Sequence, residues 1–317
     1  MIQPQSLSSI VTTMMWRVFV IFFSMAGFAP AVEANRMAEV SFESAKDYAD
    51  PFNHVMLDAV FTTPDGRLLR VPAFWAGGKT WRVRYASAVT GKHTFLTECS
   101  DAANAALHGI TGEIEVTPYT GIIALFRHGP IRVADDRRHF AHADGTPFFW
   151  LGDTWWMGLV KRLQWPADFQ QLTADRRDKG FTVIQIVAGL YPDMPAFDER
   201  GLGDAGQPWE KLYARVRPEY FDAADLRIQH LVEQGLTPCI LGCWGYHLPW
   251  LGTEKMKQHW RYLIARWGAL PVVCARPASR RCRGITPAAR KPRYNCSAAS
   301  GTRSSAPCAP LIRSTDW

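Results

Sequence analysis

Apolar and polar positions come in short runs through residues 37–120. Val55-Met56-Leu57-Asp58-Ala59-Val60-Phe61, Thr80-Trp81-Arg82-Val83-Arg84-Tyr85 and Gly112-Glu113-Ile114-Glu115-Val116 read as strands, and Pro64-Asp65-Gly66, Gly77-Gly78 and Thr90-Gly91 read as the turns between them. Several short strands with tight turns in fewer than 90 residues predict an N-terminal immunoglobulin-like β-sandwich. Phe74, Trp75 and Trp81 are its expected core rather than a ligand platform.

After a linker at 121–145 the period changes. Phe148-Phe149-Trp150-Leu151 is apolar throughout, as a strand covered on both faces would be. A helix follows from Pro166 to Lys179, with Gly180 at the left-handed position that ends it. Phe181–Val187 reads as a strand, Pro218–Gln234 as a helix closed by Gly235, and Leu236–Leu241 as a strand. A third helix starts at Thr253 as N-cap, stops before Gly268, and leads into Pro271-Val272-Val273, the start of a fourth strand. Helices that each end at a Gly and feed an apolar strand are βα units. The fold class read from the pattern is multidomain, β plus α/β: the sandwich, then an incomplete (β/α)8 TIM-type barrel over 146–273.

At the N-terminus, Arg17 precedes the apolar run 18–28, with small-residue cleavage options at Ala29-Pro30-Ala31 and Val32-Glu33-Ala34. The run is short for a bilayer core of about 30 Å and fits a secretory leader over residues 1–34. The expected location is secreted or periplasmic, with no membrane association after cleavage.

Charge alters the picture only after residue 273. The whole chain carries +7, but residues 274–317 hold nine Lys/Arg against one acid, Asp316, together with four of the seven cysteines. The rest has 27 Lys/Arg against 28 Asp/Glu, a net charge of −1. Nucleic-acid binding needs concentrated positive charge, so no nucleic-acid partner is expected of the ordered part. The segment 274–317, rich in Arg, Ser, Ala and Pro, is read as an aberrant, disordered basic tail. Cys99, Cys239 and Cys243 have no metal-ligand spacing and read as buried thiols.

In barrels, function sits on the loops after each strand. Those loops carry Asp153, Trp155 and Trp156, then Tyr191 and Asp193, then Trp244, Tyr246 and His247. Flat rings stack on sugar faces and short polar groups bind hydroxyls, so these eight residues are the candidate contacts for an oligo- or polysaccharide. Each has a structural alternative: Asp153 capping a turn, Trp155 or Trp156 packed into the barrel, His247 satisfied inside the fold. Asp198, Glu199 and Asp204 in a Gly-rich stretch read as solvated. A metal site from Asp153, Asp193 and His247 has no supporting spacing, and no Gly-rich phosphate cradle or nucleophile elbow is present, so no cofactor is expected.

At these loops the chain resembles the apiosidase-like glycoside hydrolases, in which a β-sandwich domain of unknown function precedes a (β/α)8 catalytic domain. The matching residues are Asp50-Pro51-Phe52, Val71-Pro72-Ala73-Phe74-Trp75, Trp81–Tyr85 and Gly91, and above all the run from Asp144-Gly145-Thr146-Pro147 through Gly152-Asp153-Thr154-Trp155-Trp156, continued by Lys179–Gln185. The resemblance covers about 37–273. It implies cleavage of glycosidic bonds in plant-type polysaccharide side chains by two carboxylates on later strands, one at the end of strand four, as glycoside hydrolysis generally requires. Here Cys274-Ala275-Arg276-Pro277 follows Val273 instead. One choice of synonymous codons for Arg276–Ile285, read two nucleotides on, gives Ala-Gly-Glu-Pro-Thr-Leu-Pro-Trp-Tyr, a strand exit with a glutamate. The expectation is a frameshifted, truncated and inactive copy. Its unclosed barrel would be insoluble or proteolysed, leaving the sandwich to fold alone. A carbohydrate-binding module without catalysis is the alternative; an anionic-polymer binder acting through the tail is the least favoured.

Overall fold

The computed structural model describes residues 31–192, 194–243 and 247–275. Among them, the N-terminal part consists of β1 (Ala31–Glu33), β2 (Ala38–Glu43), a short helix α1 (Pro51–His54), β3 (Leu57–Thr62), β4 (Leu68–Pro72), β5 (Phe74–Gly77), β6 (Thr80–Tyr85), β7 (Gly91–Cys99) and β8 (Thr111–Thr117). They form a five-stranded sheet ordered β1-β8-β7-β3-β4 and a three-stranded sheet ordered β2-β6-β5. Alternation sets the facing surfaces: Leu57, Ala59 and Phe61 of β3 are buried while their neighbours are half-exposed. Phe61 stacks on Tyr85 of the other sheet at 3.9 Å, and Phe42 meets Phe95 edge-on. Phe74, Trp75 and Trp81 are core residues, as the sequence indicates.

The strand set starts earlier than the sequence pattern places it. β1 lies inside the stretch read as leader; it pairs parallel with β8 from Ala31 opposite Glu115 to Glu33 opposite Thr117, and Ala34 is buried. The linker 121–145 is likewise structured. It holds α2 (Ala124–Arg127), β9 (Ile131–Val133) and β10 (Phe140–His142), and with β11 (Pro147–Phe148) the strands make an antiparallel sheet ordered β11-β10-β9. The β10–β11 turn is built by Asp144, whose carboxylate accepts from the Thr146 amide (2.9 Å) and faces His128 Nδ1 (2.7 Å), with Gly145 at φ +93°.

This hairpin corrects the first α/β strand. Phe148 pairs with Phe140 and Phe149 is 74% exposed, so Phe148–Leu151 is not a doubly covered strand. The parallel strand is β12 (Gly152–Thr154), followed by α3 (Ala167–Asp178), β13 (Val183–Val187), α4 (Pro218–Glu233), β14 (Thr237–Leu241), α5 (Leu248–Trp267) and β15 (Val273–Ala275). α5 breaks at Gly252 (φ +74°), so its main body begins where the sequence places Thr253. The four strands are all parallel and stand in chain order, β12-β13-β14-β15. Ile184, Ile186 and Ile240 face the helices, in one core with Phe221, Ile228, Leu231 and Leu263. On the opposite face, Val183, Cys239 and Val273 are covered by Ile131, Phe148 and Trp150, and Val187 and Leu241 by Val160 and Tyr191.

The two parts share that core, and a buried charge network crosses between them. Arg84 of β6 donates to Glu39 (2.7 Å), to Asp225 of α4 (2.6 Å) and to the carbonyl of Arg266 in α5 (2.7 Å). Arg84 and Arg266 stack their guanidiniums against Phe74 at 5.0 and 4.8 Å. A sandwich folding alone, the expectation from the sequence, would expose this network. No helix among the described residues is long and apolar enough to cross a membrane. The tail beyond Ala275 lies outside the described residues.

Candidate functional site

The parallel strands end at Thr154, Val187, Leu241 and Ala275 on one side of the sheet, where ligands of α/β proteins bind. The pleat decides what β12 contributes there. Asp153 sits opposite Ile184 on the helix-facing side. Its carboxylate accepts from Arg176 of α3 (2.6 Å), from the indole N–H of Trp155 (2.8 Å) and from the Thr154 amide (2.8 Å). Burial raises its pKa, but these donors outweigh that and hold the carboxyl below the ordinary value. Trp155 is buried edge-on against Phe169. Both residues tie α3 to the strand. Asp153→Ala is therefore expected to lower stability by about 1–3 kcal/mol, the worth of hydrogen bonds to a charged partner, as read by urea unfolding. A stability change near zero would refute this anchoring. Trp156, the next residue, is 38% exposed on the rim.

After β13 the chain turns at Gly189 (φ +84°), where any Cβ would lie 2.8 Å from Pro208. Only glycine lets the following loop, 190–217, fold back this closely. Tyr191 is buried with its hydroxyl 3.3 Å from that of Tyr220; burial pushes both phenols up, Tyr220 to about 12. Asp198 caps the 3-10 turn Glu199–Gly201 and pairs with Arg200. Asp204 is not solvated for its own sake: it accepts from the buried guanidinium of Arg227 at 2.7 Å, which also donates to the carbonyls of Gly158 and Leu163.

After β14, His247 is buried and Tyr191 is brought to it. His247 Nε2 is 2.5 Å from the Tyr191 carbonyl, so Nε2 carries the proton and donates, and Nδ1 accepts from the Tyr213 hydroxyl at 3.4 Å. Burial lowers its pKa, outweighing the opposing pull of the Tyr191 carbonyl, and so favours the neutral ring. Tyr191, Phe197, Trp209, Tyr213 and His247 line a cleft of about 20 Å³, room for one water molecule rather than a sugar ring. Asp193, Trp244 and Tyr246 lie outside the described residues. The structure thus brings together Tyr191 and His247, directs Asp153 and Trp155 to α3, and leaves Trp156 on the rim.

Sequence reasoning misses Trp209, Tyr213 and Tyr220, which wall or support this cleft. Their signal is an aromatic series within 209–221, directly after the Gly-rich stretch and running into the helix read from Pro218. Among the described residues no group of three or more His, Cys, Asp or Glu side chains is placed to hold a metal ion.

Residues 134–293 match the family model for the apiosidase-like catalytic domain, just over half of the 317 residues. The chain belongs to the apiosidase-like family. Residues 31–100 match a domain of unknown function, DUF5060, whose start coincides with β1. The catalytic-domain match runs on through 276–293, beyond the described residues. A solved structure from Bacteroides vulgatus, provisionally described as a glycoside hydrolase, is 22% identical with a TM-score of 0.59 over 78% of this chain. This apiosidase-like chain spans 49% of that one, about half its length. A family 5 glycoside hydrolase from the same organism is 19% identical, with a TM-score of 0.39 over 48% of this chain and 33% of its own, a level that adds nothing to the fold assignment. A search of curated proteins gave no match.

Proposed function

We propose that this is a glycoside hydrolase-type protein for plant-type polysaccharide side chains, and that the sequence as it stands binds without cleaving. Strands in chain order, all parallel, with helices on one face, are what the first half of a (β/α)8 barrel would present. The observation that carries the inactivity is where strand four ends. β15 enters in register with β14, Val273 opposite Cys239, and the described strand runs to Ala275; in the sequence no carboxylate follows before Asp316. Among the described strand ends, the nearby acids Asp153 and Asp204 are each occupied by an arginine. Among the described residues, these strand ends therefore offer no unoccupied carboxylate pair for a two-carboxylate mechanism.

The reading extends to the gene. One register slip near codon 274 would replace a glutamate-bearing strand exit with the basic segment that follows. Export fits Arg17 and the apolar run behind it, with processing at or before Ala31, since a cut after Ala34 would remove β1 from its sheet. The test is to resequence the DNA around codon 274 and to assay the purified 317-residue chain beside a frame-restored version on plant oligosaccharides. No hydrolysis by the first and hydrolysis by the second is expected. Hydrolysis by the 317-residue chain overturns the reading.

A further inference from the structure

An open cavity lies in the N-terminal domain. It offers about 330 Å³ between the end of β2, α1 and the β5–β6 turn, within the range of small-ligand sites. Its walls are Ser44, Lys46, Asp47, Tyr48, Lys79 and Trp81, with Pro51 and Gly78. We infer that this cavity is a glycan-holding subsite that takes a neutral sugar through a vicinal diol. The inference rests on the carbohydrate reading above for its ligand class, but not on catalysis.

Chemistry selects the ligand. Lys79 pairs with Asp47 at 2.8 Å and Lys46 with Asp101 at 2.7 Å, so ammonium and carboxylate stand side by side twice around the cavity, and their charges cancel. A hydroxyl both donates and accepts. Two adjacent hydroxyls can therefore donate a hydrogen bond to the carboxylate and accept one from the ammonium, which an ionised carboxylate ligand, lacking a donor, cannot do. Tyr48 adds an aromatic wall held in place: its hydroxyl donates to Asp101 (2.7 Å) and accepts from Asn104 (2.9 Å), while Asn104 also donates to Ser44 (2.8 Å). The indole N–H of Trp81 is buried with no hydrogen-bond partner, although Trp81 lines the cavity. An unpaired buried donor costs about 1–3 kcal/mol, a cost that an acceptor reaching it would relieve.

Position supports a role beside the strand ends. The Gly77 backbone approaches Pro218, the first residue of α4 after the 190–217 loop. Asn53 of α1 donates to the Ala214 carbonyl of that loop (2.9 Å), and Lys255 of α5 donates to both. The cavity thus flanks the side of the α/β part on which β13 and β14 end, suited to holding the distal part of a chain that reaches the rim.

The test is affinity electrophoresis of the full chain in galactomannan, arabinoxylan and polygalacturonate gels, with Lys79→Ala, Asp47→Ala and Trp81→Phe variants. Retention by at least one neutral polysaccharide is expected, weakened about ten-fold or more in Lys79→Ala and Asp47→Ala, whose side chains are 42% and 87% exposed and whose melting should not move. Trp81→Phe keeps the ring and removes the N–H; weaker retention with an equal or higher Tm is expected. The inference fails if no neutral gel retards the chain, if all three variants are retained like the parent, or if only polygalacturonate retards it and salt abolishes the effect. Retention without hydrolysis by a frame-restored chain would leave the subsite standing and remove the catalytic reading; hydrolysis without retention would do the reverse.

Discussion

Replacing Asp225 with alanine is expected to lower the stability of the folded chain by about 3–5 kcal/mol, the cost of removing one carboxylate from a buried charge network, Arg84 keeping Glu39 and Arg266 keeping Asp222. Asp225 accepts from Arg84 Nη2 (2.6 Å), from Arg266 Nε and Nη2 (3.0 Å each) and from the indole N–H of Trp267 (2.6 Å). Arg84 is 4% exposed and Arg266 not at all, so neither guanidinium can turn to water once the carboxylate is gone. Burial alone would push the Asp225 carboxyl up, but Arg266 and Arg84 overcome it and hold the pKa at about 2. Because the folded pKa lies below the ordinary value, this stabilisation is present above about pH 4 and is lost as pH falls towards 2. Urea unfolding at pH 7 checks the size. Since Arg84 belongs to the N-terminal sheets while Asp225 and Arg266 belong to the helices, the parent should also unfold in one transition. A loss below about 1 kcal/mol, or two separate transitions in the parent, would refute a junction held by this network.

The second large effect is on acid stability. His259 is fully buried in α5; its Nε2 donates to the Gly242 carbonyl at 2.5 Å, and its Nδ1 accepts from the indole N–H of Trp209 at 3.3 Å. A second proton would set N–H against N–H, and burial lowers the pKa to about 4. Above the ordinary value of 6.5 both folded and unfolded states are neutral and the residue contributes no pH dependence. Below it the unfolded chain takes up the proton first, so stability falls with pH until about 4. At about 1.4 kcal/mol per unit the loss totals roughly 3 kcal/mol. Burial lowers His247 and His230 in the same direction. In His259→Gln, whose amide can replace the donor and the acceptor, the slope between pH 6.5 and 4 should be shallower by about that amount. Urea midpoints at three pH values for parent and variant measure it; parallel lines would count against the assignment. The consequence reaches the candidate site, since Trp209 is both the partner of His259 and a wall of the cleft beside His247.

Much of the fold is legible in the order of residues along the chain. Gly180 and Gly235 end their helices at φ +79° where the pattern places them, because a left-handed residue leaves a local mark in the sequence. β13, β14 and the start of β15 appear as apolar runs for the same local reason. The candidate site is legible only as a set of residue types. Asp153 and Trp155 stand in a loop-like motif, yet their direction depends on strand pairing: once Phe148 is spent on the hairpin with Phe140, the parallel strand begins four residues later and Asp153 turns to α3. Asp204 looks solvated until the buried Arg227, 23 positions away, is seen to need it.

The sequence by itself determined the order of elements, the change from β to βα pattern, the family, and the break in composition after residue 273, because each is written in neighbouring residues. The tertiary structure alone decided which side chains face the helices and which the rim, that β1 and the segment read as a linker are parts of the folded body, and that Arg84, Asp225 and Arg266 join its two halves. Those outcomes depend on groups far apart in the chain, where the cost of burying an unpaired charge or polar atom is settled only when distant partners meet.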